Sequence, residues 1–167
     1  GDAVRQRREL AQDLRRAIEN GHLRMHYQPQ IDLKTGEICG YEALVRWPHS
    51  ERGMVSPAEF IPLAEANGLI GRLGDWVLQT TCEEVASWPG SPKVAINLSA
   101  IQLNDPHLVG KVLQAMVSTG LRPNQLEIEL TETALIHDLE QSLNVLRRIK
   151  ALGVSMALDD FGTGYSA

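Results

Sequence analysis

The second half of the chain alternates short apolar segments with longer amphipathic ones, and this alternation constrains the fold more than any other feature. Three segments are predicted strands: KVAINLS (93–99), LEIEL (126–130) and VSMAL (154–158). Between them lie two predicted helices, from about Asp105 to Gly120 and from Asp138 to Gly153. Strands separated by helices of this length form right-handed βαβ units, so the sequence predicts an α/β fold with a parallel sheet.

The second of these helices carries apolar residues one helical turn apart. Leu139, Leu143, Leu146 and Ile149 fall on one stripe. We expect this stripe to pack on the core, because an amphipathic helix is stabilised mainly by burying its apolar face.

The chain begins with a predicted amphipathic helix. Residues 1–21 carry apolar residues at helical spacing and end in Asn20-Gly21, a usual helix stop. We interpret 1–21 as an entry helix or a linker helix from an upstream domain, and 22–167 as the domain that follows it.

A hairpin and two further helices are expected next. The segment LRMHYQPQIDLKTGEICGYEALVRW (23–47) contains two β-rich runs around a polar turn, and Pro29 places the first run at a sheet edge. Ser56 followed by Pro57 is typical of a helix N-terminus, so a helix is predicted from there to about Gly68. A second helix follows at about 72–88.

Composition excludes several classes of function. The formal net charge of −5 argues against a broad basic surface for a nucleic-acid polymer or an anionic membrane. Cys39 and Cys82 lack CxxC spacing, so the sequence suggests neither a disulfide framework nor a zinc site. No apolar run approaches the roughly 20 residues of a membrane span. We expect a soluble cytoplasmic domain, which is compatible with a larger membrane-tethered protein.

Oxygen-bearing side chains recur where the predicted strands meet their loops. They are Glu42, Asn97, Glu129, Asp159 and Asp160. Ligand sites of parallel α/β folds lie at the carboxyl ends of the strands, so these side chains are expected on one rim. Four neighbouring carboxylates stay ionised together only if cations neutralise them, and oxygen ligands favour Mg²⁺, Mn²⁺ or Ca²⁺. Adjacent Asp159 and Asp160 suit two metal ions, one carboxylate bridging both ions and the other binding the second.

Each of these residues also has a structural interpretation. A single Asn or Glu after a strand is more often a helix cap or a surface residue. Glu132 competes with Glu129 for the role of ligand, and an Asp pair before glycine is often a turn. Arg46 fits a structural ion pair near Trp47 equally well. The recurrence at the ends of three successive strands favours the metal site.

The sequence resembles the EAL-domain family, the phosphodiesterases that cleave cyclic di-GMP. Six motifs carry the resemblance, in the family's order: YQPQ (27–30), EAL (42–44) within YEALVRW, SPAEFIPLAE (56–65), NLSAIQL (97–103), ELTET (129–133) and DDFGTGYS (159–166). Three letters alone mean little, but six motifs across nearly the whole chain make coincidence very improbable.

The resemblance implies a TIM-like (β/α) barrel with an antiparallel first strand and a site that opens cyclic di-GMP to linear pGpG with two Mg²⁺ or Mn²⁺ ions. It implies that Glu42, Asn97, Glu129 and Asp159 hold the first ion, and that Asp159 bridges to a second ion bound by Asp160. Glu42, Asp159 and Asp160 are then the catalytic residues. The substrate contacts that it implies are Gln28, Leu44 and Arg46.

The resemblance also implies that 22–167 is a partial EAL domain, from which part of the barrel is missing. Such barrels need roughly 250 residues, so we expect the C-terminal third to be absent from this chain, and with it a later lysine, glutamate and glutamine of the site. The truncated chain itself is therefore expected to be inactive. Two other functions stay open, a non-catalytic cyclic di-GMP receptor and a dimerisation module. Expected partners are cyclic di-GMP, a second copy of the chain, and an upstream sensory or GGDEF-type domain.

Overall fold

A computed structural model describes residues 1–159. Its strands are β1 (Arg24–Ile31), β2 (Ile38–His49), β3 (Gly53–Val55), β4 (Val94–Leu98), β5 (Leu126–Thr131) and β6 (Ser155–Asp159). Its α-helices are α1 (Asp2–Glu19), α2 (Pro57–Ala66), α3 (Ile70–Ala86), α4 (Ala100–Leu103), α5 (Leu108–Thr119), α6 (Glu132–Ile136) and α7 (Leu139–Ala151). None of the helices in this range is both long and apolar enough to cross a bilayer.

The strands form one sheet in the order β1-β2-β4-β5-β6, with β3 paired to β2. β1 and β2 are antiparallel, whereas β2–β4, β4–β5 and β5–β6 are parallel. The hairpin, the parallel sheet and the edge position of Pro29 in β1 are therefore confirmed.

One face of the parallel sheet is covered by helices. Ile96 of β4 and Ile128 of β5 are at most 2% exposed, and they belong to one apolar cluster with residues of α3, α5 and α7. Successive side chains along a strand point to opposite faces of the sheet. Asn97, which follows Ile96, and Glu129, which follows Ile128, therefore lie on the other face. The core thereby holds one sheet face in place while the other remains available for polar groups.

A second apolar cluster holds α1 against the rest of the molecule. Leu14 of α1 is fully buried and shares this cluster with Trp47 of β2 and Phe60 of α2. Asp13 adds a polar contact, because its Oδ2 lies 2.7 Å from Nε2 of His49 at the end of β2. The predicted linker helix is thus packed on the strand that carries the EAL tripeptide.

The apolar stripe predicted on the helix after β5 was wrong in part. Leu139 and Leu143 of α7 are 48% and 38% exposed, whereas Ser142, Val145 and Ile149 are buried. The sequence indicates an amphipathic helix, but the neighbouring elements decide which side of it is covered.

Several element boundaries also differ from the sequence-based expectation. The helix expected from Asp105 starts at Leu108, and a separate short helix, α4, precedes it. The helix expected at about 72–88 covers Ile70–Ala86. Helix ends depend on a few capping contacts, and the short strand β3 forms only because it pairs with the end of β2.

Candidate functional site

Four polar residues of the candidate site lie on neighbouring strands of the open sheet face. Asn97 of β4 lies directly opposite Glu129 of β5 in the parallel register. Glu42 of β2 lies opposite Ala95, two residues before Asn97 and therefore on the same face. Gln28 of β1 lies opposite Glu42 and extends the row. The sheet register thus aligns Gln28, Glu42, Asn97 and Glu129 across four strands.

A direct contact joins two members of this row. The carboxamide of Asn97 donates a hydrogen bond to Glu42, from Nδ2 to Oε2, at 3.2 Å. The Asn97 side chain is exposed and Glu42 is half-buried, so both are accessible to a ligand. A hydrogen bond to a carboxylate orients its oxygens, and here it joins the hairpin to the parallel part of the sheet.

The remaining acidic residues lie at the ends of β5 and β6. Glu129 is half-buried and its Oε1 atom is buried from solvent. Glu132 opens α6 just after Thr131, whose hydroxyl accepts the backbone N–H of Ala134 and caps this helix. The backbone of Asp159 lies opposite Thr131, two residues beyond Glu129. The predicted ligand Asp160 and the rest of DDFGTGYS lie outside the described residues.

The described donors suit a hard cation but are not a complete metal site. Glu42 and Glu129 supply carboxylate oxygens and Asn97 supplies a carboxamide, a donor set that Mg²⁺, Mn²⁺ and Ca²⁺ prefer. Among the side chains that the structure describes, those of residues 1–158, no group of three or more His, Cys, Asp or Glu is arranged to bind a metal ion. The chemistry of the donors therefore fits a divalent ion. The contribution of Asp159 and Asp160 to its binding stays a prediction.

A cavity of about 290 Å³ opens beside this row. Leu44 and Arg46, two and four residues after Glu42 on β2, line it together with Asn97. Arg46 is half-buried, and its Nη1 donates to the carbonyl of Val45 at 3.2 Å. A guanidinium beside an apolar wall suits a ligand that carries both an anionic group and a flat apolar surface.

Four further residues line the cavity, and the sequence patterns had assigned no role to them. Pro57 and Ile61 of α2, Gly74 of α3 and Gln102 of α4 line it. Pro57, Ile61 and Gln102 belong to SPAEFIPLAE and NLSAIQL, so their presence in these motifs was the available signal. Gly74 lies outside every motif, and only the packing of α3 against α4 reveals it.

Groups with shifted pKa values lie on other parts of the molecule. Lys111 contacts Asp105 at 2.7 Å and Asp75 at 3.0 Å. The hydrogen bond between Lys111 and Asp105 lowers the pKa of Asp105 and raises that of Lys111. Burial, followed by a hydrogen bond to Glu84, raises the pKa of Tyr27. Burial also raises the pKa of Cys82 to about 12. These four groups belong to helix packing and the back of β1, so we assign them no role in the site.

Comparison with known proteins identifies the family. The family model described as "EAL domain" matches residues 11–167. A signalling protein of Caulobacter vibrioides is 52% identical over 166 residues, which is 99% of this chain and 20% of that protein. The cyclic di-GMP phosphodiesterase NbdA of Pseudomonas aeruginosa is 42% identical over 163 residues, 95% of this chain and 21% of NbdA.

A third relative has a solved structure. MucR of Pseudomonas aeruginosa, a bifunctional diguanylate cyclase and cyclic di-GMP phosphodiesterase, is 40% identical over 163 residues, 95% of this chain and 24% of MucR. The MucR phosphodiesterase in complex with cyclic di-GMP superposes with a TM-score of 0.89, covering 95% of this chain and 66% of the solved one. The chain thus spans about a fifth to a quarter of these full-length relatives.

These findings confirm the expected fold, a TIM-like barrel of the EAL type with an antiparallel first strand. The family model covers nearly the entire sequence, and the six motifs lie within or next to its matched residues. The chain therefore belongs to the EAL-domain family.

Proposed function

We propose that this protein hydrolyses cyclic di-GMP to linear pGpG with two divalent metal ions, Mg²⁺ or Mn²⁺. The observation that carries the proposal is the contact between Asn97 and Glu42, in register with Glu129 and beside the cavity lined by Arg46. Oxygen donors on neighbouring barrel strands, next to a pocket lined by an arginine, suit cleavage of a phosphodiester. Homology to NbdA and MucR supports this substrate.

In this proposal the metal ligands come from four strands. Glu42, Asn97, Glu129 and Asp159 would hold the first ion, and Asp159 and Asp160 would hold the second. When bound, the ions lower the pKa of a coordinated water and neutralise charge on the phosphate. The Asn97 hydrogen bond orients Glu42 before any ion binds. Glu42, Asp159 and Asp160 are therefore the proposed catalytic residues.

The substrate contacts follow from the geometry of β1 and β2. Arg46 carries the positive charge that a phosphate requires, and Leu44 supplies the apolar contact for a base. Gln28, opposite Glu42 on the edge strand, reaches the same face and has both a donor and an acceptor. In the reaction, water oxygen bonds to phosphorus, one P–O ester bond breaks, and the released ribose oxygen takes a proton.

The proposal includes a cellular setting. Cys39 and Cys82 are free thiols, one exposed, which suits reducing cytoplasm. MucR joins cyclase and phosphodiesterase activities in one protein, and we extend to this protein an upstream sensory or GGDEF-type domain. We also propose that the active form is a homodimer.

The decisive experiment is a chromatographic assay for pGpG with the purified chain, cyclic di-GMP and Mn²⁺. We expect a pGpG peak that disappears without metal and in Glu42→Ala. Glu37→Ala is the matched control, since Glu37 lies exposed in the turn of the same hairpin and outside the row. Calorimetry with cyclic di-GMP completes the test. Binding without pGpG would replace hydrolysis by a receptor function, and absence of both would overturn the proposal in favour of an interaction module.

A further inference from the structure

A very short helix, α4, follows Asn97 and closes the turn at the end of β4. α4 covers only Ala100–Leu103, and a helix of four residues is not stable by its own hydrogen bonds. We propose that Gln102 of α4 is a positioning residue that holds the backbone at Asn97 in the geometry needed to bind a metal ion. This inference rests on the proposed function, in which Asn97 is a metal ligand.

Gln102 closes the turn through a reciprocal capping box with Ser99. The backbone N–H of Ser99 donates to Oε1 of Gln102 at 3.0 Å, and the backbone N–H of Gln102 donates to Oγ of Ser99 at 3.3 Å. Ser99 is two residues after Asn97. The capping box therefore fixes the backbone immediately beyond the proposed ligand.

The side chain of Gln102 also packs closely against Gly74 of α3, on a different element from the one that carries the capping box. A Cβ atom built on Gly74 would lie 2.7 Å from Cδ of Gln102 and would also collide with its Nε2. Gln102 thus occupies the space where any other residue at position 74 would place its side chain. α3 is a firm support for this contact, because Leu73 and Leu78 are at most 5% exposed.

The sheet alone does not provide this support on both sides of Asn97. β5 pairs with β4 along its whole length, from Val94 to Leu98. Within the described part of the chain, β2 pairs with β4 only as far as Ala95. The backbone at Asn97 therefore has a strand neighbour on one side, and the turn held by Gln102 restrains it further.

Loss of the Gln102 side chain removes this restraint without removing a metal ligand. Leu103 is fully buried and keeps α4 on the core, so the fold is expected to survive. The backbone at Asn97 then becomes more mobile, so the hydrogen bond from the Asn97 side chain to Glu42 weakens. The metal ligands must therefore be ordered at the time the ion binds, which lowers the affinity. Supporting residues of this kind are worth about 10-fold or more in metal affinity.

The test compares Mn²⁺ affinity, by titration calorimetry, with thermal stability in the intact protein. Gln102→Ala is expected to weaken Mn²⁺ binding about 10-fold, whereas Gln102→Glu keeps the acceptor for the Ser99 N–H and restores the affinity to within about twofold. Gly74→Ala displaces Gln102 without altering it and is expected to weaken binding in the same direction. Asp138→Ala is the matched control, with unchanged affinity expected. It removes the N-cap of α7, because the Asp138 side chain accepts a hydrogen bond from the backbone N–H of Gln141.

A second measurement needs no metal. The side-chain NH₂ resonances of Asn97, followed by NMR in the metal-free protein, are expected to shift or broaden in Gln102→Ala and Gly74→Ala but not in Asp138→Ala. Unchanged resonances and unchanged affinity in a folded Gln102→Ala variant would overturn the inference, as would equal losses in Asp138→Ala. Wild-type protein that binds no Mn²⁺ would overturn the metal site and this inference together, whereas equal binding by wild type and Gln102→Ala overturns the inference alone. If Gln102→Ala does not fold, Gly74→Ala decides in its place.

Discussion

Asn97 and Glu42 are 55 residues apart in the sequence, and they are joined by a 3.2 Å hydrogen bond from Nδ2 of Asn97 to Oε2 of Glu42. Asn97 lies near the end of a parallel strand, and Glu42 lies within the hairpin strand that runs beside it. A neutral donor next to a carboxylate avoids the repulsion that a second carboxylate would create. This pair therefore orients Glu42 at little electrostatic cost.

Asn97→Asp replaces this hydrogen bond with two like charges. We expect the free energy of unfolding at pH 7 to fall by about 1–2 kcal/mol, because a stabilising contact becomes repulsive. Millimolar Mn²⁺ should reduce this loss, because a cation between the two carboxylates neutralises their repulsion.

Urea unfolding at pH 7, with and without Mn²⁺, measures the effect of Asn97→Asp. Asn144→Asp, on the exposed side of α7, is the control and should change stability by no more than about 0.5 kcal/mol. A loss for Asn97→Asp that is the same with and without Mn²⁺ would contradict the electrostatic explanation.

Leu14→Ala tests whether α1 is part of the folded unit. Leu14 is fully buried in the cluster that contains Trp47 and Phe60, so removal of its side chain leaves a cavity. We expect a loss of about 2–5 kcal/mol in the free energy of unfolding, measured by urea denaturation. Val4→Ala, at a site 60% exposed on the same helix, should stay within about 0.5 kcal/mol. Equal small effects would mean that α1 detaches without cost.

The two thiols should differ sharply in reactivity. Cys82 is fully buried, and burial raises its pKa to about 12, so little reactive thiolate forms at pH 8. Cys39 is exposed on β2. A thiol-specific chromogenic reagent should therefore label one cysteine in the native protein and two in denaturant. Cys39→Ser should abolish the native reaction, and rapid native labelling of Cys82 would show that the α3 region opens.

Asp105→Asn should change the pH dependence of stability. The hydrogen bond from Lys111, at 2.7 Å, holds the pKa of Asp105 below its ordinary value, so its stabilisation is present above about pH 4 and is lost as the pH falls through the lowered pKa. The pKa of Lys111 is raised, so its contribution is lost only as the pH rises through that value.

The expected loss for Asp105→Asn is under about 1 kcal/mol, because the pair is partly exposed and screened by solvent. It should be largest between about pH 5 and pH 9 and should decrease as the pH falls below about 4. Thermal unfolding across this range measures it. A loss that is the same at pH 2 and pH 7 would show that the charge on Asp105 does not contribute, and would contradict this prediction.

Local patterns account for most of the elements predicted from the sequence. The β-rich runs became β1 and β2, and Asp138 caps α7 as expected, because pleat alternation and capping act over a few residues. The same local information failed for Leu139 and Leu143, which lie on the exposed side of α7. Which side of a helix is buried depends on its neighbours, and these are distant in the sequence.

The candidate site divides in the same way. The sequence by itself determined which residues carry oxygen donors, that Glu42, Asn97 and Glu129 accompany strands, and that these strands belong to an α/β sheet. Only the tertiary structure decided that Asn97 bonds to Glu42, and that Gln102 of α4 rests on Gly74 of α3. The physical reason is that strand register and helix packing follow from burying one continuous core, so contacts between distant segments are fixed only when all of those segments pack together.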